Sequence, residues 1–432
     1  MNILWITNTP IGRLAELAGV GGGYTSGSWL FSALAEFIGD ERFNLTVATV
    51  GRVKSIRTVS ERGVTYCLLP GGHPFEYRHD DPVNLRHWEE VKARFQPELV
   101  HIWGTEFTQG YAALRAMKGV PSVIYMQGLL DAIARYYLSG LTRKELRQSL
   151  SFRDLLKGDW TTRVQRKYAG RARLEIDMLR LSGHVIVENR WCAAHCLALA
   201  PGAVMHFCDL NIKEEFYQAR WSPDRMDPCS IMTGAANYPI KGLHMLLKAL
   251  SLVVKRFPKA KLYIPGGRSP FGQPFLERLR ETGYTHLIKS LIREHRLEPH
   301  VVFLGPLDSR QMAERMAVSN AFVLPSSIEN HSSTLIEAMI VGTPCVASYV
   351  GGIPEYLTHE EQGLLYRFEE WEMLADHLCA LFSDPKHAAR LGERASQTMR
   401  SMRPAGNLRE RLVSIYEKVI GQENGGTESN DM

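Results

Sequence analysis

Short apolar runs alternate with amphipathic helical stretches along this chain, and the alternation starts twice. That pattern constrains the fold more than any other feature, because strands separated by helices pair in parallel as βαβ units. The first series has strand patterns at residues 2–6, 45–50, 64–69, 99–103, 122–125 and 184–188. A glycine-rich turn over 19–23 follows the first strand, and a helix begins near Ser26 or Ser28. Its Leu30, Leu34, Phe37 and Ile38 share one face, and Gly39 is a stop. The second series has strands at 230–233, 261–265, 301–304, 321–324 and 344–347. Between its first two strands, Leu243, Leu246, Leu247, Leu250, Val254 and Phe257 line one helix face, ended by Pro258. Residues 201–230 hold Pro201, Pro223 and Pro228 with little periodicity and read as the linker.

Two doubly wound α/β halves follow. We expect a Rossmann-like domain over 1–205, a second over 206–405, a C-terminal helix over 406–420 and a disordered polar tail over 421–432. Ligands of such halves sit in a cleft. The 432 residues are 45% hydrophobic and 22% charged, enough for a sizeable core. A net charge of +5 suits an anionic ligand or membrane surface and does not call for nucleic acid. Seven cysteines, an odd count, argue for reduced thiols and a cytoplasmic setting. The N-terminal residues lack a signal-peptide pattern, and no apolar run reaches the ~18–20 residues of a spanning helix, so membrane contact is expected to be peripheral.

The chemistry concentrates in 322–355, FVLPSSIENHSSTLIEAMIVGTPCVASYVGGIPE. A buried strand ends at Leu324, a loop spans 325–332, and a helix starts near Ser333 with serines available to cap it. The open amides of a first helical turn and the helix dipole make a phosphate site. Glu329 projects from the loop and Glu337 sits one turn into the helix. The latter could hold ribose hydroxyls with both oxygens, and the former could bind sugar hydroxyls and stabilise positive charge on the sugar ring. Two glutamates taken alone read more simply as surface charges; their flanks argue otherwise.

Glu329 and Glu337, with seven residues between them and followed by EAM..GTPCVAS..GGIPE, resemble the signature of the family-four retaining glycosyltransferases of the GT-B fold. VVFLGPLDSRQM, Lys241-Gly242 and PELVHIWG extend the resemblance over most of the chain. It implies two Rossmann-like domains facing each other across a cleft, with the C-terminal helix returning to the N-terminal domain. By the same resemblance Glu329 faces the donor sugar and Glu337 binds ribose. Lys241 neutralises the diphosphate, and the backbone over His331, Ser332, Ser333 and Thr334 holds sugar and phosphates. Gly22 and Gly23 match the N-terminal loop that approaches the diphosphate, although GVGGGYTS lacks a full GxGxxG and is equally a plain tight turn.

Three positions depart from the family. The usual Gly-Arg after the first C-terminal strand is Gly234-Ala235, so a second cation must come from elsewhere, with Arg268 a candidate. Gly-Phe-Gly after the first glutamate is Asn330-His331-Ser332. The N-terminal histidine that often touches the sugar is Gln127, which hydrogen-bonds but cannot act as acid or base. His101 and Glu106, at the end of VHIWGTE, are candidates for the acceptor site, or a packed strand residue and a loop charge.

The implied reaction moves a sugar from a UDP- or GDP-sugar to a glycan or lipid-linked acceptor with retention, in surface polysaccharide or glycoconjugate synthesis. No Asp-x-Asp occurs, so we expect no metal and no cofactor. A sugar-nucleotide epimerase or a non-catalytic nucleotide-sugar-binding subunit are the alternatives. Cys192, His195, Cys196, His206 and Cys208 match no zinc spacing and read as core thiols and neighbours. Residues 131–180 carry twelve Lys and Arg against six acids. They form either a solvated helical face or a surface for an anionic membrane or glycan.

Overall fold

The computed structural model describes residues 1–19, 28–72, 77–234, 237–267, 269–404 and 406–426. The chain forms two compact units: Met1–Asp131 with Ala169–Asn211 and Gly406–Met432, and Ala132–Tyr168 with Ile212–Ala405.

The first unit holds strands β1 (Asn2–Thr7), β2 (Asn44–Gly51), β3 (Arg57–Glu61), β4 (Val64–Pro70), β5 (Leu99–Trp103), β6 (Ser122–Tyr125), β7 (His184–Val187) and β8 (Val204–Phe207). Their order is β3-β4-β2-β1-β5-β6-β7-β8, parallel except where β3 pairs antiparallel with β4. Strands buried on both faces read as continuous apolar runs, which is why β1, β5 and β6 are plain in the sequence. β3 and β8 are edge strands with mixed polarity and were not expected. The β3–β4 turn places Arg62 and Gly63 at φ 49° and 81°, the left-handed pair of a tight hairpin. β8 lies inside the expected linker.

The last helix, Leu408–Gly426, buries Leu408, Leu412, Tyr416 and Val419 in the core of this unit beside Trp5, Trp103 and Tyr125. It runs past the expected end at residue 420, because a helix anchored by a packed face gains one bond for each residue added. Only 427–432 of the expected tail lie outside the described residues.

The second unit holds β9 (Asp227–Thr233), β10 (Lys261–Pro265), β11 (Val301–Gly305), β12 (Ser319–Leu324), β13 (Cys345–Ser348) and β14 (Leu364–Tyr366). The order is β11-β10-β9-β12-β13-β14, with every pairing parallel. Helix Leu243–Arg256 buries Leu243, Leu246, Leu247 and Leu250, with Val253 rather than Val254 innermost in its last turn. A separate core on the other sheet face contains Leu335, Ile336, Met339 and Met399.

The unit boundaries correct the contiguous 1–205 and 206–405 division. The first unit runs on to Asn211, and the helical excursion Ala132–Tyr168 leaves it to pack on the second. Polar bonds inside the second unit hold the excursion. The Gly283 amide donates to Asp154 at 2.6 Å, Lys248 pairs with Glu145 at 2.6 Å, and Leu141 joins the Leu243–Leu250 core. Composition does not reveal such an exchange, since both units have ordinary interiors.

Candidate active site

In an open α/β sheet, a ligand crevice forms where the winding direction reverses, at the carboxyl ends of the strands. In the second unit that point lies between β9 and β12: the chain winds through β9, β10 and β11, then returns to the other side of β9. Gly234 follows β9 there, and the 325–332 loop follows β12. The turn Pro239–Lys241 is fastened to that loop, with the Ser327 amide donating to the Ile240 carbonyl at 2.8 Å. Gly242 has φ 68° and lies so close to the Pro325 carbonyl that a Cβ would overlap it. This close approach carries Lys241 to Glu329, Nζ to Oε1 2.7 Å. The Ser326 hydroxyl donates to the same oxygen at 2.6 Å. Glu329 is 8% exposed. Burial alone would lower the Lys241 ammonium, but the Glu329 carboxylate, with Tyr238, outweighs it and holds the lysine above its ordinary range. The Gly352 amide donates to the Glu329 carbonyl at 3.1 Å, and a Cβ on Gly351 would overlap that carbonyl, so the Gly-Gly of GGIPE fixes the loop from behind.

Helix Ser333–Val341 opens from this loop. Its cap is Ser332, whose hydroxyl accepts from the Leu335 amide at 3.4 Å. First-turn amides have no acceptor within their own helix; with Leu335 capped, those of Ser333 and Thr334 can receive ligand oxygens. Thr334 stands against Gly234, where a Cβ would sit 3.6 Å from the threonine methyl, an ordinary contact. Glu337 is partly buried one turn further along. Burial pushes its carboxyl up to about 7, with Lys213 pulling the other way. Burial, and to a lesser extent Arg403, pushes His331 far below the ordinary imidazole range, so its ring is neutral. That ring lies 5.8 Å from Tyr356.

The structure therefore brings Gly234, Lys241, Glu329, Asn330, His331, Ser332, Ser333, Thr334 and Glu337 together in one unit. Gly22, Gly23 and Arg268, and with them the question of the second phosphate cation, lie outside the described residues.

The first unit has its own reversal point, between β1 and β5. Asn8 follows β1 and donates to Glu106, which follows β5. Gln127 follows β6 and is half-buried. Burial, with the charge of Glu175 acting the same way, pushes the Glu106 carboxyl up to about 7. Glu175 is fully buried in helix Thr161–Ser182 and accepts from the Thr105 hydroxyl at 2.5 Å and the Leu130 amide at 3.1 Å. Sequence reasoning missed Asn8 and Glu175. The available signal was an acid at helical spacing with Ala172, Met178 and Leu179 on an otherwise buried stripe. His101 does not belong to this group. Side chains alternate along a strand, and His101 shares the inward face of β5 with Trp103, on which it stacks at 4.1 Å. Its Nδ1 lies 2.6 Å from the Tyr416 hydroxyl of the last helix. Burial pushes it down to about 3, so it is a neutral core residue.

Among the described residues no group of three or more His, Cys, Asp or Glu is placed to hold a metal ion. Cys192, Cys196 and Cys208 are buried free thiols.

Residues 213–398 match the family described as glycosyl transferases group 1. N-acetyl-alpha-D-glucosaminyl L-malate synthase of Bacillus anthracis is 31% identical over 139 residues, 32% of this chain and 36% of that protein. D-inositol 3-phosphate glycosyltransferase of Corynebacterium glutamicum (strain R) is 30% identical over 189 residues, 43% of this chain and 42% of that protein. The matches thus span about two fifths of these curated relatives. Among solved structures, sucrose-phosphate synthase of Thermosynechococcus elongatus has a TM-score of 0.70 at 18% identity, covering 98% of this chain and 99% of its own. Anabaena HepE in complex with UDP has a TM-score of 0.64 at 15% identity, covering 97% and 99%. At such identities the likeness is one of fold.

Proposed function

We propose, from the match of residues 213–398 to the family described as glycosyl transferases group 1 and from the GT-B fold, that the chain is a retaining hexosyltransferase using a nucleoside-diphosphate sugar. The observation that carries this reading is the grouping of Lys241, Glu329, the Ser333–Thr334 amides and Glu337 at the β9–β12 reversal point. Each has a task suited to its chemistry. Glu337 accepts ribose hydroxyls. The helix amino end and Lys241 take the diphosphate and stabilise its growing charge as the glycosidic bond breaks. Glu329 faces the sugar, where a carboxylate stabilises an oxocarbenium-like state. The acceptor hydroxyl attacks from the face the leaving phosphate departs, and that phosphate takes its proton.

The donor is a UDP- or GDP-sugar, and the acceptor a glycan or lipid-linked molecule of surface polysaccharide or glycoconjugate synthesis. Gln127 and Glu106 of the first unit are assigned as sugar or acceptor contacts. The cationic and amide groups do the electrostatic work a divalent metal does elsewhere, so the reaction needs neither metal nor cofactor.

A donor panel tests the reading. Purified protein is mixed with each common sugar nucleotide, with and without a mixed acceptor extract, and free nucleotide is measured in the presence and absence of EDTA. We expect release from one donor, stimulated by acceptor and unchanged by EDTA. Loss of release in EDTA would overturn the metal-independent mechanism. Tight nucleotide binding with no turnover of any donor would mark a binding subunit instead, and product from a donor without any acceptor would mark an epimerase.

A further inference from the structure

The short helix Phe152–Lys157 in the excursion is built inside out. A surface helix ordinarily turns its apolar stripe inward and its charges to water. Here the inward residues are the cap Ser151 and Asp154, each 4% exposed. Asp154 receives the Gly283 amide and, at 2.7 Å, Arg153, so a carboxylate fastens this helix to the second unit. The outward residues are apolar: Phe152 is 61% exposed, Leu155 58% and Leu156 73%, with Leu150 at 44% just before them. Four large apolar side chains on one tip mark a contact surface.

The charge around the tip identifies the partner. Residues 132–168 contain nine Lys and Arg against three acids. Two of the acids, Glu145 and Asp154, are buried and paired with Lys248 and Arg153, and Asp159 is paired with Lys167. Arg143, Arg147, Lys157 and Arg166 are exposed. Half-buried Trp160 lies under Arg163 at 5.1 Å, an amphipathic ring of the kind that settles at membrane interfaces. No described helix is long and apolar enough to cross a membrane. A second copy docking tip to tip would bring two positive rims together, which is unfavourable.

We propose that the 150–156 tip is an interfacial anchor for an anionic bilayer. Leu150, Phe152, Leu155 and Leu156 enter the acyl-chain boundary, and the surrounding Arg and Lys side chains pair with lipid phosphates. This anchor stands apart from the sugar-transfer reading, and either can fail alone.

The test is sedimentation of the full chain with phosphatidylcholine vesicles, with and without phosphatidylglycerol. We expect binding only to the anionic vesicles. The triple substitution Phe152→Ser, Leu155→Ser and Leu156→Ser should lower that binding by about tenfold or more, and Lys157→Ala should lower it about fivefold. These positions are exposed, so the melting temperature should be unchanged. A fluorophore on Leu156→Cys should shift to the blue when anionic vesicles are added. A full chain that stays in solution with anionic vesicles would overturn the anchor, as would a triple variant that sediments like the parent. So would a concentration-dependent dimer lost in the triple variant without vesicle binding, which would make the tip an interface between copies.

Discussion

Replacing Glu329 with alanine is expected to lower turnover by about two to three orders of magnitude, the range seen when a preorganised electrostatic group is removed, while nucleoside-diphosphate affinity is not weakened. The reason lies in what Glu329 touches. Its carboxylate is buried and already satisfied by Lys241 at 2.7 Å and Ser326 at 2.6 Å, so it is held rigidly where a sugar ring would build positive charge. A fixed negative group in a water-poor site acts most strongly when that charge appears, so its loss falls on the transition state. Lys241 behaves differently. In the structure it is paired with Glu329, and a bound diphosphate competes for the same ammonium. Removing the carboxylate leaves Lys241 to the phosphates, so binding of free nucleotide should hold or tighten. Glu329→Gln keeps the shape and the Ser326 contact without the charge and should share most of the turnover loss. Steady-state rates with the active donor and calorimetric titration of its nucleotide read the two effects separately. A Glu329→Ala enzyme with parental turnover would contradict the role assigned to this residue.

Glu337→Ala should do the reverse. Two hydrogen bonds from ribose hydroxyls to one carboxylate are charge-assisted, and their loss should weaken nucleotide binding about a hundredfold, with saturated turnover changed less than about tenfold. The wild-type affinity should also depend on pH. Burial raises the free carboxyl to about 7, and hydroxyl donors favour the ionised form, so the bound carboxyl titrates lower. Affinity is therefore highest above pH 7 and falls by about tenfold per pH unit below it, until the bound form takes up its own proton. Stability of the empty protein runs the other way. A folded carboxyl raised above its unfolded value of 4.5 contributes its full stability below that value and loses it as pH rises to about 7. Glu106 contributes a slope of the same sign over the same window, so the binding curve and not the melting curve isolates Glu337. Glu337→Gln should flatten the binding curve. A wild-type affinity that does not change across this range would sink the ribose assignment.

The parts of the site legible in the sequence are those whose chemistry is local. The strand–loop–helix run from Phe322 to Val341 is read from an apolar strand, a serine cap and a helical apolar face, all within one stretch. Lys241 was assigned through the family resemblance of Lys241-Gly242, but its partner was not, because the 2.7 Å contact spans 88 residues and depends on Gly242 lying against Pro325. The two readings of His101, an acceptor contact or a packed strand residue, stayed open for a related reason. Strand alternation puts it on one of two faces, and only the return of Tyr416 from the far end of the chain covers that face. Asn8 and Glu175 are brought to Glu106 and Thr105 by winding order, which no local pattern encodes. The excursion of 132–168 escaped notice because its anchors are single polar residues such as Asp154 and Ser139, whose carbonyl lies 2.8 Å from His244.

The most direct measurement is a structure of the protein with the nucleoside diphosphate of its active donor. The expected result has the ribose hydroxyls on both oxygens of Glu337, the phosphates against the amides of Ser333 and Thr334, and Lys241 turned from Glu329 toward the diphosphate. A nucleotide bound elsewhere, or one seated here with Glu337 pointing away from the ribose, would contradict it.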